Sequence, residues 1–300
     1  MLSCLPIPHT IGNDDPQNLW MFLMRMHLFL SPHYDDAVYS CGGLIAQLTR
    51  AGETVRVYTV MGAQPPHIAP NTPLIRELHA RWQAGDDPVK ARRLEDETAV
   101  HLLDGEVGYN NALPDCIYRT AYGGRPLYPN ATAIFGTVDP DDPAIVALEL
   151  KLPNFHQLWQ AIHFDENDNP VFVPLDRQQV TVYAPLGAGN HVDHQIVRDW
   201  AFKLLKLQPA TSLMLYEDFP YIRDPKAILA PLKKSHFALE SINTMLDEEA
   251  IQAKIKAIAA YRSQFDSFWT DEQAMIDDVR DTLMQRGKGR PSEVMYRVEG

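Results

Sequence analysis

His33, Asp35 and Asp36 stand within four residues of one another, and His191, Asp193 and His194 within another four. Imidazoles and carboxylates hold borderline divalent metals, and they also move protons near neutral pH. Adjacent aspartates repel each other and resist burial, so something positive must offset Asp35-Asp36. The candidates are a solvated turn, a helix N-terminus or a metal ion. His191 and His194 are three apart, which on a helix sets both rings on one face. If the two loops meet, their imidazoles and carboxylates suit zinc with an open position for water. Plainer readings exist for each part. A His-x-x-His is often structural, and Asp-Asp ahead of a helix caps it and complements its dipole.

The surrounding elements decide whether the two clusters can meet. His27-Leu28-Phe29-Leu30 reads as a short buried strand, and the first cluster follows it as a loop. Asp36–Arg50 carries Ala37, Cys41, Leu44, Ile45 and Leu48 at helical spacing and ends at Ala51-Gly52. Thr54–Met61 is β-branched and reads as a second strand. Strand, helix and strand within about 35 residues make a βαβ unit with parallel strands. Helices are expected over Thr72–Trp82 and Pro88–Leu103 after the Pro-rich loop Gln64–Pro73. Residues 104–178 hold many prolines and read as loops and short helices. Val180–Ala184 is another strand. It is followed by the loop Pro185–Asn190, with Asn190 as N-cap, and by a helix from His191. Ser212–Tyr216 and His236–Ile242 read as strands, Asp247–Phe265 and Asp271–Arg286 as helices. Both clusters therefore follow a strand and open a helix, and in an open parallel sheet ligands sit beyond the carboxyl ends of the strands.

Composition narrows the partners. Of 300 residues, 45% are hydrophobic and 22% charged, as in a globular protein with a real core. Lys and Arg total 27 against 39 Asp and Glu, giving a net charge of −12. An acidic chain of this kind argues against nucleic acid and anionic membrane as partners. The three cysteines, Cys4, Cys41 and Cys116, lack CxxC spacing and suit a reducing compartment, with Cys41 buried and inert. No apolar run approaches the ~20 residues that span a bilayer. No secretory signal is read at the N-terminus, and the cytoplasm is the expected location. Residues 1–25 read as an irregular arm and 26–300 as one domain, with a Pro-rich region at 124–178.

The stretch Pro32-His33-Tyr34-Asp35-Asp36-Ala37, followed by His191-Val192-Asp193-His194, resembles the motifs of the PIG-L/LmbE-like metal-dependent de-N-acetylases. Their first motif is commonly His-Pro-Asp-Asp-Glu and their second His-x-x-His. Further similar segments are Arg92-Arg93-Leu94-Glu95-Asp96, Leu113 to Arg119, Tyr216 to Tyr221, Tyr261 to Gln264 and Ser292-Glu293. Tyr34 and Ala37 depart from the usual proline and glutamate, and the missing glutamate bears on substrate contacts more than on hydrolysis.

The resemblance implies an α/β fold, a Rossmann-like three-layer sandwich with a mostly parallel sheet. It implies a zinc-dependent amide hydrolase that removes an N-acyl group, most simply N-acetyl, from an amino sugar or sugar conjugate. In this family pattern His33, Asp36 and His194 are the metal ligands and Asp35 is the base on the attacking water. His191 steadies the oxyanion or protonates the leaving amine, and Asp193 fixes a histidine tautomer. Two histidines and an aspartate accept iron(II) as well as zinc. Arg92, Arg93, Tyr118 and Arg119 fall at the substrate end. The plainer reading of the arginine pair is salt bridging beside Glu95 and Asp96. Tyr122, Tyr128 and Trp159 are aromatics that could stack on a sugar or simply pack. Two rival readings stand beside this one. A non-catalytic sugar-binding or scaffolding relative would need a broken ligand set. A nucleotide-binding protein would need a Gly-rich phosphate loop where this chain has two aspartates. A homo-oligomer stays open.

Overall fold

The computed structural model describes residues 25–152, 154–155, 160–164, 170–174, 180–207 and 211–299. The expected arm lies outside this range apart from Arg25, and so does Trp159. In chain order the main elements are β1 (Met26–Ser31), α1 (Asp36–Arg50), β2 (Thr54–Thr59), α2 (Pro73–Trp82), α3 (Pro88–His101) and β3 (Glu106–Tyr109). Then come α4 (Ala131–Ile134), α5 (Pro143–Lys151), β4 (Gln160–Phe164), β5 (Pro170–Pro174), β6 (Val180–Pro185), α6 (Val192–Leu207) and β7 (Ser212–Tyr216). The chain continues with α7 (Leu229–Lys234), β8 (Ala238–Met245), α8 (Glu248–Ile258), α9 (Arg262–Phe268), α10 (Glu272–Arg286) and β9 (Ser292–Glu299).

Among the described residues, seven strands form one sheet in the order β3-β2-β1-β6-β7-β9-β8. The first five run parallel, and β9 and β8 close the sheet antiparallel. This is the mostly parallel α/β sandwich that the resemblance implies. β1 is buried along its whole length, as a central strand covered on both faces must be. From β1 the chain steps outward to β2, and from β6 it steps the opposite way to β7. Right-handed crossovers in opposite directions put their helices on opposite faces. Accordingly α1 packs on β1, β2 and β9 and against α8, whereas α6 packs on β6 and β7 and against α5. Strand order reverses between β1 and β6. The crevice outside the carboxyl ends of those two strands is the switch point where open α/β sheets bind ligands.

Several local expectations differ from the structure. Residues 104–178 hold a strand, β3, besides loops and short helices, and β4 and β5 pair as a separate antiparallel ladder. The helix expected over Asp247–Phe265 is two, α8 and α9, parted at Tyr261, whose ψ of 67° is not helical. Asn190 does not cap α6. It takes a positive φ of 65°, and its side-chain amide donates to the carbonyls of Phe135 and Gly136. Gly42 and Gly43 let α1 come close to its neighbours. A Cβ on Gly43 would stand 2.3 Å from the Leu246 side chain, and one on Gly42 3.1 Å from that of Lys254.

Candidate active site

The loop after β1 is tied down before it reaches its functional residues. The Ser31 hydroxyl donates to the His33 carbonyl at 2.5 Å and accepts from the Ala37 amide at 3.0 Å. Asp36 Oδ2 accepts the His33 backbone amide at 2.8 Å and lies 3.0 Å from His33 Nδ1. The other ring nitrogen, His33 Nε2, meets Asp193 Oδ2 at 2.9 Å. That bond keeps a proton on Nε2, while Nδ1 faces Asp36. The histidine that Asp193 contacts is therefore His33. Asp193 is wholly buried, and it also accepts from the Cys116 amide and from Arg119.

His194 is held in the same way from the other side. Its Nδ1 lies 2.6 Å from Asp218 Oδ1, and Asp218 Oδ2 accepts the amides of Gly187 and Ala188, both at 2.8 Å. Its Nε2 is buried, makes no well-aligned hydrogen bond to a described residue, and stands 3.3 Å from Asp36 Oδ2. An imidazole nitrogen left without a partner in a wholly buried ring is costly unless a further group binds it. One donor atom each from His33, Asp36 and His194 lie within 4.8 Å of one another. Two imidazole nitrogens and a carboxylate oxygen form the donor set of a borderline divalent ion, so these residues fit the metal that the sequence pattern implies.

The electrostatics follow from burial and from these partners. Burial works to raise Asp36, but His194 and His33 outweigh it and hold the carboxyl well below its usual range. Burial works to lower His33 and His194, yet the carboxylates around them win. Asp115 and Asp36 lift His33, and Asp36 and Asp218 lift His194 to about 10. Asp35 is raised, by burial first and by its neighbour Asp36 next, while Arg92 opposes. His191 is pushed down to about 3 by burial and by the two other histidines. Its Nδ1 accepts the Asp193 backbone amide at 3.2 Å, which leaves Nε2–H as the ring's donor.

A cleft of about 600 Å³ opens over these groups. His33, Asp35, Asp36, Arg92 and His191 line it, with Asp115 and Tyr221 beside them. Arg92 sits 4.6 Å from the Trp82 ring centre and 3.4 Å from Asp35 Oδ1. The Gln264 amide, with its oxygen toward them, accepts from Arg92 Nε and Trp82 Nε1. The other residues expected at the substrate end do not line the cleft. Arg93 stacks 4.0 Å over Tyr109 and bonds Glu97 and Asn111. The Tyr118 hydroxyl is engaged by His79 Nε2 at 2.6 Å. Arg119 is 3% exposed and bonds Asp142 and Asp193, so it braces the site from behind. Tyr128 bonds Asp142, and Tyr122 is fully exposed. Asp218 and Asp115 stood in family-like segments but carried no assigned role. The available signal for Asp218 was its place directly after a strand, at the same edge of the sheet as both clusters.

Comparison with known proteins agrees with this geometry. The model of the PIG-L family, GlcNAc-PI de-N-acetylase, matches residues 28–205, more than half of the chain. The chain belongs to the PIG-L family. The match begins in β1 and ends in α6, so it spans both loops of the crevice. Among PIG-L-like relatives, a 2′-N-acetylparomamine deacetylase of Niallia circulans is 28% identical over 209 residues, 66% of this chain and 68% of that protein. A 2′-N-acetylparomamine deacetylase of Streptomyces fradiae is 26% identical over 268 residues, 88% of this chain and 79% of that protein. Of solved structures, the zinc-inhibited form of teicoplanin deacetylase superposes with a TM-score of 0.72 at 24% identity, over 91% of this chain and 98% of that one. The A40926 pseudoaglycone deacetylase gives 0.64 at 22%, over 92% and 97%. These superpositions establish the shared fold. No helix among the described residues is long and apolar enough to cross a membrane.

Proposed function

We propose that this PIG-L protein is a metal-dependent hydrolase that removes an N-acetyl group from an amino sugar within a small conjugate. The carrying observation is the bare Nε2 of His194 facing Asp36 beside an open cleft. His33, Asp36 and His194 would hold zinc or iron(II), which supplies a Lewis acid and lowers the pKa of water. Asp35 takes the proton of the attacking water and returns it to the departing amine. A raised pKa suits a carboxyl to both transfers. His191 acts as a neutral donor through Nε2–H toward the acyl oxygen, because its Nδ1 is already an acceptor. Arg92 presents its guanidinium to the cleft 3.4 Å from Asp35.

Support for the substrate class comes from the two relatives named for 2′-N-acetylparomamine. Amino sugar conjugates that carry free amines are cations, which a chain of net charge −12 attracts. Cys41 and Cys116 are free and buried, in keeping with a cytoplasmic enzyme.

The test joins metal content to acetate release from 2′-N-acetylparomamine. Wild type is expected to hold about one metal per chain at His33, Asp36 and His194, and Asp36→Ala and His194→Ala to lose it. Asp35→Asn should keep the metal and lose roughly 10²-fold or more of the rate. Substantial hydrolysis by Asp35→Asn would remove Asp35 as the base. Failure of the wild type to take up metal would bring the binding-protein reading forward.

A further inference from the structure

Tyr221 is a polar group in the cleft that the chemistry above leaves unused. It lies five residues past β7, lines the cleft, and its hydroxyl makes no hydrogen bond to any described residue. Packing fixes its ring from three sides. The ring stands edge-on to His194 at 5.7 Å between centres and edge-on to Phe135 at 5.9 Å. It also fills the space that a side chain on residue 189 would need. A Cβ there would approach the ring to 2.5 Å, and Gly189, at φ 76°, supplies none. The His191 ring lies 5.2 Å from that of His194, so two donor-bearing rings adjoin His194. Tyr221 lines the same cleft as His33, Asp35, Asp36 and His191, which sets the phenol beside the proposed ligand set. A phenol, with an ordinary pKa of about 10, keeps its proton at neutral pH and is a donor.

We infer that Tyr221 is a second catalytic hydrogen-bond donor, its Oη–H directed with His191 Nε2–H at the acyl oxygen of the amide under attack. This rests on the hydrolytic reading proposed above. A rigid, undercommitted phenol beside the reacting carbonyl strengthens its bond as negative charge gathers on that oxygen, which stabilises the transition state more than the substrate. A ring that merely packs on His194 would serve equally well as phenylalanine.

The experiment is Tyr221→Phe in the metal-loaded protein, read on 2′-N-acetylparomamine and on the methylphosphonamidate analogue of that amide, whose tetrahedral phosphorus carries a charged oxygen. With Tyr221 as donor, kcat falls about 10²-fold, KM stays within about threefold, and affinity for the analogue falls by a factor similar to kcat. A kcat within about threefold of wild type, or a rise in KM alone, overturns the assignment and leaves the ring a packing element. A wild-type protein that binds the analogue far better than Tyr221→Phe yet releases no acetate would sink the hydrolytic reading while upholding the donor.

Discussion

His194 is gripped at Nδ1 and bare at Nε2, and His33 is gripped at Nε2 with Nδ1 turned to Asp36. Without metal, the carboxylates around them favour imidazolium on both rings. A histidine whose folded pKa is raised contributes stability that is complete below its unfolded value of about 6.5 and is lost as pH rises through the folded one, about 10 for His194. Metal binding needs both rings neutral, so the ion displaces protons and its affinity climbs over the same window. The melting temperatures of metal-free and metal-loaded protein should therefore diverge from pH 7 to pH 10. A metal-free melting point that stays flat across that range would contradict the paired imidazoliums. Asp35 predicts a second profile. A base must be ionised to act, and burial raises this one, so kcat/KM should fall on the acid side at a pH above the ordinary aspartate value of about 3.9. An acid limb at or below that value would show that a different group takes the proton.

The element that carries Asp36 is clamped from the antiparallel side of the sheet. Glu293 on β9 accepts the amides of Gly43 and Leu44 in α1 and pairs with Lys254 of α8 at 2.6 Å. Lys254 also donates to the Ser40 carbonyl, and both charged side chains are 3% exposed. Removing one partner of such a pair strands the other charge, so Glu293→Ala should cost about 3–5 kcal/mol in urea unfolding. Breaking the exposed Arg297–Glu240 pair should cost under about 1 kcal/mol. Equal costs would mean that the clamp is solvated. Elements of this kind were unevenly legible. The strands β1, β2, β6 and β7 could be read because central strands are runs of apolar and β-branched residues. β3 is four residues at the sheet's edge, Glu-Val-Gly-Tyr, with too little pattern to read. The break between α8 and α9 carries no proline or glycine. Tyr261 leaves helical geometry where its hydroxyl reaches Asp96 at 2.8 Å, a contact 165 residues away in sequence. The two His/Asp clusters were legible because each is local. The grips of Asp218 on His194 and Arg119 on Asp193 were not, since they join separate strand ends.

Across the whole molecule, the proposed ligands follow the first and sixth strands, and Asp36 and His194 are 194 − 36 = 158 residues apart. An ion held by both closes that long loop only in the folded chain, so it should act as a reversible cross-link. At a free concentration one hundredfold over its Kd, metal should add about 2.7 kcal/mol, which for a chain of this size is a rise of roughly 5–10 °C in melting temperature. Chelation should reverse the rise, and Asp36→Ala should show neither change. A chelator that leaves wild type unmoved would place the ion elsewhere. The same architecture separates the cleft into a floor and walls with different histories open to them. The floor is strand-end loop, fixed by buried bonds to Asp193, Asp218 and Arg119. The walls come from α2 with Leu74 and Leu78, from Ile134, and from Phe268 of α9, and none of these holds a proposed ligand or its partner. A lineage could therefore exchange one guest molecule for another by altering the rim alone. Laboratory selection for new substrates should find its tolerated changes on those three segments and almost none beneath them.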